Sequence, residues 1–203
     1  MLNKIQFNSQ LITPSKIVCI GRNYVDHITE LGNAIPKEMV VFMKPNSAIT
    51  QQLMATHQEP LHFEAELAFL YQGGRFSAVG AGLDLTKRGL QNRLKEKGLP
   101  WERSKAFDGS ALFSEFVAID SLDDLSIELD IDGAPRQRGS VTMMMYSPDV
   151  ILKQLQPFMT LQDGDVVMTG TPKGVGEVSK GSLFEARVKQ RDKLLVTQTW
   201  KAR

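Results

Sequence analysis

The stretch Leu61-His62-Phe63-Glu64-Ala65-Glu66-Leu67-Ala68-Phe69 alternates apolar and other residues in the manner of a β-strand. The alternation predicts one apolar face that begins at Phe63 and an opposite face that carries Glu64 and Glu66. Because a strand rises about 3.3–3.4 Å per residue, the Cα atoms of these glutamates are expected about 6.7 Å apart. A divalent cation would offset the repulsion between their carboxylates. Two glutamates solvated on an exposed strand face are the alternative, and the stretch alone leaves both interpretations open.

The composition restricts the classes of function that the chain can have. A length of 203 residues fits one domain with a real core, and 24 basic residues nearly balance 23 acidic ones. This balance argues against a nucleic-acid partner, and the absence of a long apolar run argues against a membrane partner. The amino-terminal residues lack a secretory signal pattern, so we expect a cytoplasmic protein. The single cysteine, Cys19, lies in an apolar run and is predicted to be a small core residue.

The pattern along the chain is of many short strands and about three short helices. Regular β-α-β alternation is absent, which argues against a doubly wound sheet. We therefore predict an α+β, mostly β fold, with residues 1–203 forming a single compact mixed-β domain. Strands are predicted at 16–20, 39–44, 61–71, 78–83, 115–119, 126–131, 136–145, 166–169, 183–188 and 194–200. Helices are predicted at 25–31, 86–97 and 147–156, and a hairpin turn at Asp132-Gly133.

A third carboxylate, Asp84, lies downstream of the two glutamates and could complete a metal site with Glu64 and Glu66. Oxygen ligands of this kind suit Mg²⁺, Mn²⁺ or Ca²⁺ rather than Zn²⁺. Three protein carboxylates would also leave positions on the ion for water and for a chelating substrate. Asp84 could instead cap the helix predicted at 86–97, and the local sequence supports both roles equally.

A possible acid–base pair occurs upstream, where His27 and Glu30 are three residues apart on a predicted helix and so share one face. A glutamate beside a histidine raises the basicity of the imidazole and fixes its tautomer, which suits a general base. The alternative is an exposed pair on a surface helix, but the polar cluster at residues 22–24 directly before it favours function. Lys105 is a candidate to bind an anionic oxygen, although a solvated lysine is more common.

The glycine-rich segment Thr-Gly-Thr-Pro-Lys-Gly-Val-Gly at residues 169–176 follows a predicted apolar strand. It lacks the Gly-Lys-Ser/Thr spacing of a phosphate loop, and no helical pattern follows it. Its accessible backbone N–H groups could bind a carboxylate or an oxyanion. A tight connection between two strands is the other explanation.

The order of these motifs along almost the whole chain resembles the fumarylacetoacetate hydrolase family. Its length is similar to the short branch that includes acylpyruvate hydrolases, oxaloacetate decarboxylases and related isomerases. The Glu-x-Glu strand and the final glycine motif are the most specific signals. The motifs that carry the resemblance are 16–24 with Asp26, His27 and 30–33, then 42–45, 62–67, Asp84 with Thr86 and Arg88, 105–108, 136–137 and 164–176.

The resemblance implies a compact mixed-β roll that forms a homodimer. It implies an Mg²⁺ or Mn²⁺ site at Glu64, Glu66 and Asp84, and a lid over about residues 22–36 that carries His27 and Glu30. It assigns Lys105 to substrate oxygens near the metal, and it assigns to substrate binding Arg22, Tyr24, Gln137, Gly170 and Thr171. The chain departs from the family pattern at Gly89, where an aspartate is frequent, and at 109–115, where prolines are missing.

The resemblance also implies a chemistry. We expect metal-assisted hydrolysis of a C–C bond in a small acylpyruvate or β-diketo acid, such as fumarylpyruvate or acetylpyruvate. In this scheme His27 activates a water molecule and Lys105 stabilises the departing enolate. An oxaloacetate decarboxylase or a 2-oxo acid tautomerase or isomerase that uses the same site is the alternative. A non-catalytic binding module is a third hypothesis.

Overall fold

The computed structural model describes residues 2–32 and 34–203. Asn33, which ends one of the family-like motifs and falls within the predicted lid, lies outside the described residues. The strands are β1 (Ile5–Phe7), β2 (Gln10–Ile12), β3 (Lys16–Gly21), β4 (Val40–Pro45), β5 (Leu61–Phe63), β6 (Ala65–Gln72), β7 (Arg75–Asp84), β8 (Thr86–Lys87), β9 (Ala111–Phe113), β10 (Val117–Ala118), β11 (Leu125–Ile131), β12 (Ala134–Ser140), β13 (Val166–Met168), β14 (Gly176–Glu177), β15 (Leu183–Gln190) and β16 (Lys193–Lys201). The α-helices are α1 (Val25–Glu30), α2 (Arg88–Glu96), α3 (Glu102–Lys105) and α4 (Pro148–Leu155), and 3₁₀ turns occur at Asn46–Ala48 and Val141–Met143.

Two sheets of different size form the body of the fold. The larger sheet has the order β10-β7-β6-β13-β3-β4, with β9 paired to β7, and its one parallel pairing joins β13 to β3. The smaller sheet is an antiparallel meander of order β12-β11-β15-β16. A short sheet of order β14-β5-β8 and the hairpin β1-β2 complete the set within the described residues. The predicted mostly-β fold is confirmed.

The larger sheet is buried on both faces. On one face Leu67 and Phe69 pack in a core shared with the smaller sheet, for example with Phe184. On the other face Ala68 and Leu70 pack in a second cluster. The expectation of one buried and one polar face on this strand is therefore wrong, because β6 lies at the centre of the sheet and is covered on both sides.

The strand predicted at 61–71 is broken at Glu64. Residues before the break form β5, which pairs with β8 and β14, whereas residues after it form β6, which pairs with β7 and β13. The helix predicted at 86–97 begins only at Arg88, because Thr86 and Lys87 pair with β5. The change of sheet occurs at Glu64, whose carboxylate lies near that of Asp84 at the end of β7.

Several short elements escaped the sequence pattern, namely the β1-β2 hairpin, α3 and β9. Each has four residues or fewer, so tertiary pairing rather than an internal period defines it. The strand predicted at 136–145 ends at Ser140 and continues as a 3₁₀ turn. The buried strand β3, the first helix and the Asp132-Gly133 turn agree with prediction. Within the described residues, no helix combines the length and apolar character needed to cross a membrane.

Candidate active site

Three carboxylates converge where β6 and β7 meet the short sheet. Glu64 occupies the break between β5 and β6, Glu66 lies within β6, and Asp84 is the last residue of β7. The backbone N–H of Asp84 donates to the carbonyl of Glu64 at 2.8 Å, which holds the two segments together. One oxygen from each carboxylate lies within 4.8 Å of the others, and all three residues are buried. The alternatives of solvated glutamates and of a helix-capping Asp84 are therefore wrong.

Lys105, at the end of α3, lies among these carboxylates and is 2% exposed. Its Nζ is 2.7 Å from Glu64 Oε2 and 2.8 Å from Asp84 Oδ2, and it donates to Thr86 Oγ1 at 2.6 Å. A solvated lysine is excluded by this burial. The ammonium group is held by three acceptors on the pocket side of the carboxylate cluster, where an anionic substrate oxygen would also be within its reach.

A second buried lysine, Lys44 on β4, was missed by sequence reasoning as a site residue. Its Nζ lies 2.8 Å from Asp84 Oδ1 and also donates to the backbone carbonyl of Lys105. The available signal was a charged residue on the same side of an apolar strand as Phe42, since a lysine there must either reach water or meet an anion. Lys44 holds the ligand aspartate from behind and anchors the backbone that carries Lys105.

The pKa values of Glu64, Glu66 and Lys105 are shifted in different directions by burial and by the charges around them. Burial alone would raise the pKa of Glu64, but Lys105 and Arg88 hold it well below its usual range. For Glu66, burial and the charges of Asp84 and Glu64 outweigh the opposing charge of Lys105 and raise its pKa well above the usual value. For Lys105, burial would lower the pKa, yet the two adjacent carboxylates raise it. Glu66 is thus costly to ionise beside two other carboxylates, and this is the electrostatic condition that favours an added cation.

The residues present fit a hard divalent cation. The donors are all carboxylate oxygens, which suits Mg²⁺ and Mn²⁺ alike. Asp84 Oδ1 is buried and forms an ion pair with Lys44 but no hydrogen bond of acceptable geometry, so its lone pairs are incompletely used. Glu66 accepts one hydrogen bond, from the backbone N–H of Gly170 to Oε2 at 2.7 Å, which orients the carboxylate. Glu64, Glu66 and Asp84 would hold the ion.

The predicted pair on α1 is formed. Nδ1 of His27 lies 3.2 Å from Oε2 of Glu30, and His27 is buried against the pocket. Burial lowers the pKa of His27 below its usual value, although Glu64 and Glu30 oppose the shift. Glu30 does raise the basicity of the imidazole, as expected, but desolvation lowers it by more. The imidazole is neutral at pH 7 and available as a base.

The glycine loop joins the helix to the carboxylates. The N–H of Gly174 donates to both carboxylate oxygens of Glu30, at 3.0 and 3.1 Å. Gly174 has φ +106°, and a Cβ there would lie 2.2 Å from the carbonyl oxygen of Arg136, so only glycine permits this approach. At the other end of the loop, the Gly170 N–H is engaged with Glu66. The loop thus positions both halves of the candidate site.

Two predicted substrate-binding residues are engaged within the protein. The Thr171 hydroxyl donates to the carbonyl of Ala65 at 2.9 Å and accepts from Gln137 Nε2 at 2.8 Å. The Gln137 amide also accepts from the N–H of Ala65 at 3.0 Å and donates to Pro172 at 2.7 Å. Gln137 is buried, and its amide ties the loop to the strand that bears Glu66.

The pocket brings together most of the predicted residues. Of these, its wall contains Arg22, His27, Glu64, Glu66, Lys105, Gly170 and Thr171. Asp84 and Gln137 are buried and lie behind that wall. Tyr24 is buried as well, and its burial and the charge of Glu66 raise the pKa of its phenol. The pocket wall also contains residues that were not predicted as site residues, namely Arg88, Gln91, Lys95 and Trp101. Arg88 binds Glu64 and donates to Gln91 Oε1 at 2.7 Å, and a basic, amphipathic helix after the third carboxylate was the signal for it.

Comparisons with known proteins agree on one family. The family model described as "Fumarylacetoacetate (FAA) hydrolase C-terminal" matches residues 16–198. The mitochondrial oxaloacetate tautomerase FAHD1 of Bos taurus is 38% identical over 191 residues, which cover 85% of this chain and 86% of that protein. The oxaloacetate tautomerase YcgM of Escherichia coli is 36% identical over 186 residues, covering 82% and 85%. The crystal structure of fumarylpyruvate hydrolase from Pseudomonas aeruginosa in complex with Mn²⁺ and pyruvate matches with a TM-score of 0.88 at 28% identity, covering 99% and 95%.

Proposed function

The chain belongs to the fumarylacetoacetate hydrolase family, and from this membership we propose that it is a divalent-metal-dependent enzyme that interconverts the keto and enol forms of oxaloacetate. This reaction was an alternative in the sequence interpretation, behind C–C hydrolysis. Relatives from a mammal and a bacterium, both named oxaloacetate tautomerases, favour it over the hydrolase.

The observation that carries the proposal is the position of His27, which Glu30 contacts, on the same pocket as two carboxylates of the cluster. The imidazole and the side chains of Glu64 and Glu66 all line this pocket. Tautomerisation requires a base at one carbon, a proton donor at one oxygen and stabilisation of negative charge between the two steps. The pocket contains a neutral buried histidine, a buried ammonium group and a ligand set for a cation.

A divalent ion held by Glu64, Glu66 and Asp84 would act as a Lewis acid that lowers the energy of negative charge on the 2-oxo oxygen. His27, oriented by Glu30, removes a proton from C3 of the keto form. The electron pair of that C–H bond becomes the C2–C3 double bond, and the 2-oxo oxygen takes the negative charge. The Lys105 ammonium stabilises this charge electrostatically, and the oxygen takes up a proton from water while His27 releases the C3 proton to solvent, which completes the enol.

A second candidate is hydrolysis of an acylpyruvate. It is favoured by the structural match to a fumarylpyruvate hydrolase and by the same His27–Glu30 pair, which could deprotonate a water molecule instead of a carbon acid. The water oxygen would attack the distal carbonyl, and cleavage of the C–C bond would leave the pyruvate enolate beside Lys105. A non-catalytic binding module is disfavoured because every group that the chemistry needs is present and in contact.

The test is a parallel assay of the protein supplied with Mg²⁺ or Mn²⁺. Ultraviolet absorbance follows the interconversion of enol and keto oxaloacetate, release of CO₂ reports decarboxylation, and loss of diketo absorbance reports hydrolysis of fumarylpyruvate and acetylpyruvate. We expect tautomerisation to be the fastest of these reactions. Faster turnover of an acylpyruvate would replace the proposal with the second candidate, and inactivity on all of them would support the binding module.

The role of His27 is tested by His27→Ala. Removal of a general base is expected to lower kcat by about 10²- to 10⁴-fold with a much smaller change in KM. His57→Ala is the matched control, because the His57 ring packs on Phe107 and lies outside the pocket wall. An unchanged kcat in His27→Ala would remove this residue from the mechanism. The homodimer and the cytoplasmic location stay predictions, the former to be tested by light scattering.

A further inference from the structure

One wall of the pocket carries positive charge around an indole ring. Trp101, just before α3, is close to two cations: the Arg22 guanidinium carbon is 5.9 Å from its ring centroid and Lys95 Nζ is 5.1 Å from it. All three residues line the same pocket as Glu64 and Glu66. This cationic wall is separate from the Lys105 ammonium, which the carboxylate cluster already holds.

Lys95 differs from the other cations of the pocket in its partners. Arg88 is bound by Glu64 and Gln91, and Lys105 by three oxygens. Among the described residues, by contrast, no oxygen lies in hydrogen-bond or ion-pair contact with Lys95 Nζ, and the Trp101 ring is its contact. Burial, together with the like charges of Arg22 and Arg88, lowers the pKa of Lys95 to about 8. A half-buried cation in this state is unfavourable until an anion joins it.

The position of Lys95 also suits a ligand. Its side chain lines both the inner pocket and an open groove that borders Glu30, His62 and Asn92, so it stands where the two meet. Two carboxylates border that groove. Glu30 is engaged by His27 and Gly174, and Glu96 is exposed without contact to Lys95.

From these observations we propose that Lys95, with Arg22 near the same Trp101 ring, binds the second carboxylate of a dicarboxylic 2-oxo acid. The inference rests on the proposed function, which places the 2-oxo end of the substrate at the carboxylate cluster and Lys105. A far end that is a carboxylate, as in oxaloacetate or fumarylpyruvate, then meets the cationic wall. A far end that is a methyl group, as in acetylpyruvate, leaves Lys95 unpaired. The enzyme is therefore selective for dianionic substrates.

The experiment compares oxaloacetate with its 4-methyl ester, which differs only in the charge of the far end. Lys95→Met retains an unbranched side chain against Trp101 and removes the charge. We expect the KM for oxaloacetate to rise about 10- to 100-fold in this variant, with a small change in kcat, because one charge-assisted contact is lost. The preference for oxaloacetate over the ester should fall by the same factor. Lys95→Arg should keep most of the preference.

Lys97→Met is the matched control, since Lys97 is exposed at the end of the same helix and lies outside the pocket wall. Its KM ratio should equal that of the wild type. An equal rise of KM for both compounds in Lys95→Met would show that Lys95 only packs on Trp101 and would overturn the proposal, as would no change at all.

A failure of the proposed function has a different signature, namely no turnover of either compound by the wild type. In that case the same two compounds are titrated into the Mg²⁺-loaded protein and followed by tryptophan fluorescence. If the wild type binds oxaloacetate more tightly than the ester, and Lys95→Met loses this preference, the cationic subsite is supported even though the proposed reaction is not. Equal binding of both compounds by the wild type would overturn it.

Discussion

Two groups of ion pairs in this protein use the same residue types in opposite surroundings. The buried charge cluster lies at the pocket and comprises Lys44, Glu64, Glu66, Asp84 and Lys105. The outer charge ladder crosses the smaller sheet and comprises Glu128, Asp130, Arg138, Glu185, Arg187 and Lys189. Side chains of the ladder are between 15% and 42% exposed, whereas Lys44 and Asp84 are fully buried.

The difference in surroundings changes what each pair does. In the ladder, Asp130 lies directly opposite Glu185 across the strands, and Arg187 relieves the repulsion by contacting both. Water screens these charges, so each pair adds little to stability. In the buried cluster, charges have lost their hydration, and removal of one partner leaves an uncompensated ion. This arrangement of buried charges lies at the pocket, which indicates that the cluster serves chemistry rather than stability.

Metal binding is expected to show the largest difference between substitutions in the buried charge cluster and substitutions in the outer charge ladder. Glu66→Gln removes a carboxylate from the proposed ligand set, and Mn²⁺ affinity measured by calorimetry should fall by more than about 100-fold. The stability of the Glu66→Gln variant toward urea should equal or exceed that of the wild type. The variant removes a buried carboxylate whose negative charge is repelled by those of Asp84 and Glu64. Glu128→Gln in the ladder is the control and should bind Mn²⁺ as the wild type does. Tight Mn²⁺ binding by Glu66→Gln would contradict the assigned site.

The next effect concerns stability. Lys44→Met leaves Asp84 Oδ1 without its cation and should lower the free energy of unfolding by about 3–5 kcal/mol in a urea titration of the metal-free protein. Lys189→Met, which removes an ammonium from Glu128 in the ladder, should cost about 0–1 kcal/mol. Combining Lys44→Met with Asp84→Asn should recover part of the loss, because the orphaned charge is removed as well. An equal loss of unfolding free energy in Lys44→Met and Lys189→Met would contradict the difference drawn between the two groups of ion pairs.

An intermediate case is Asp165, a buried carboxylate at the start of β13 whose partner Lys16 is partly exposed. Burial would raise its pKa, but bonds from the Gln162 N–H, Lys16 and Ser15 hold it below the usual value. A pKa lowered by folding contributes stability that is present above the unfolded value of about 3.9 and is lost as the pH falls through the folded one. Asp165→Asn should therefore cost about 1–3 kcal/mol at pH 7 and progressively less below pH 4. A cost that is independent of pH would refute this account.

The smallest effect is expected in the ladder. Arg138→Gln removes an exposed guanidinium from Asp130, and its cost should lie within about 1 kcal/mol. The cost should shrink further in 1 M NaCl, where the Debye length is about 3 Å. Thermal unfolding at low and high salt measures both quantities. A loss as large as that of Lys44→Met would mean that solvent exposure does not separate the two groups.

Much of the site could be predicted from sequence because its residues lie in local patterns. Glu64 follows the strand β5, Glu66 lies within β6 and Asp84 ends β7. The His27–Glu30 spacing is that of one helix face. Lys44 and Lys95 could not be assigned in this way, since the apolar strand and the basic helix that carry them show no local partner. The significance of Lys44 comes from Asp84, which is distant in sequence, and that of Lys95 comes from Trp101, which lies beyond the end of α2.

The start of α2 also combines a feature that local sequence predicts with one that only tertiary contacts define. A helix after Asp84 was predicted, but the acidic partner of its first turn is Glu59, whose Oε1 accepts from the N–H of Leu90 at 3.1 Å. A Cβ on Gly89 would lie 3.2 Å from that oxygen, so the glycine that departs from the family pattern makes room for this contact. No pattern within residues 84–97 contains this information.

By itself, the sequence determined the mostly-β class, the positions of the longer strands along the chain and the identity of the three candidate carboxylates. It could do so because alternation, turns and short motifs are local properties. Tertiary structure alone decided that the Glu-x-Glu segment breaks between two sheets, that both faces of β6 are covered, and that two buried lysines hold Asp84. These features depend on pairing between residues far apart in the chain. The balance of burial against opposite charge, which sets the protonation of His27 and Glu66, exists only after that pairing has formed.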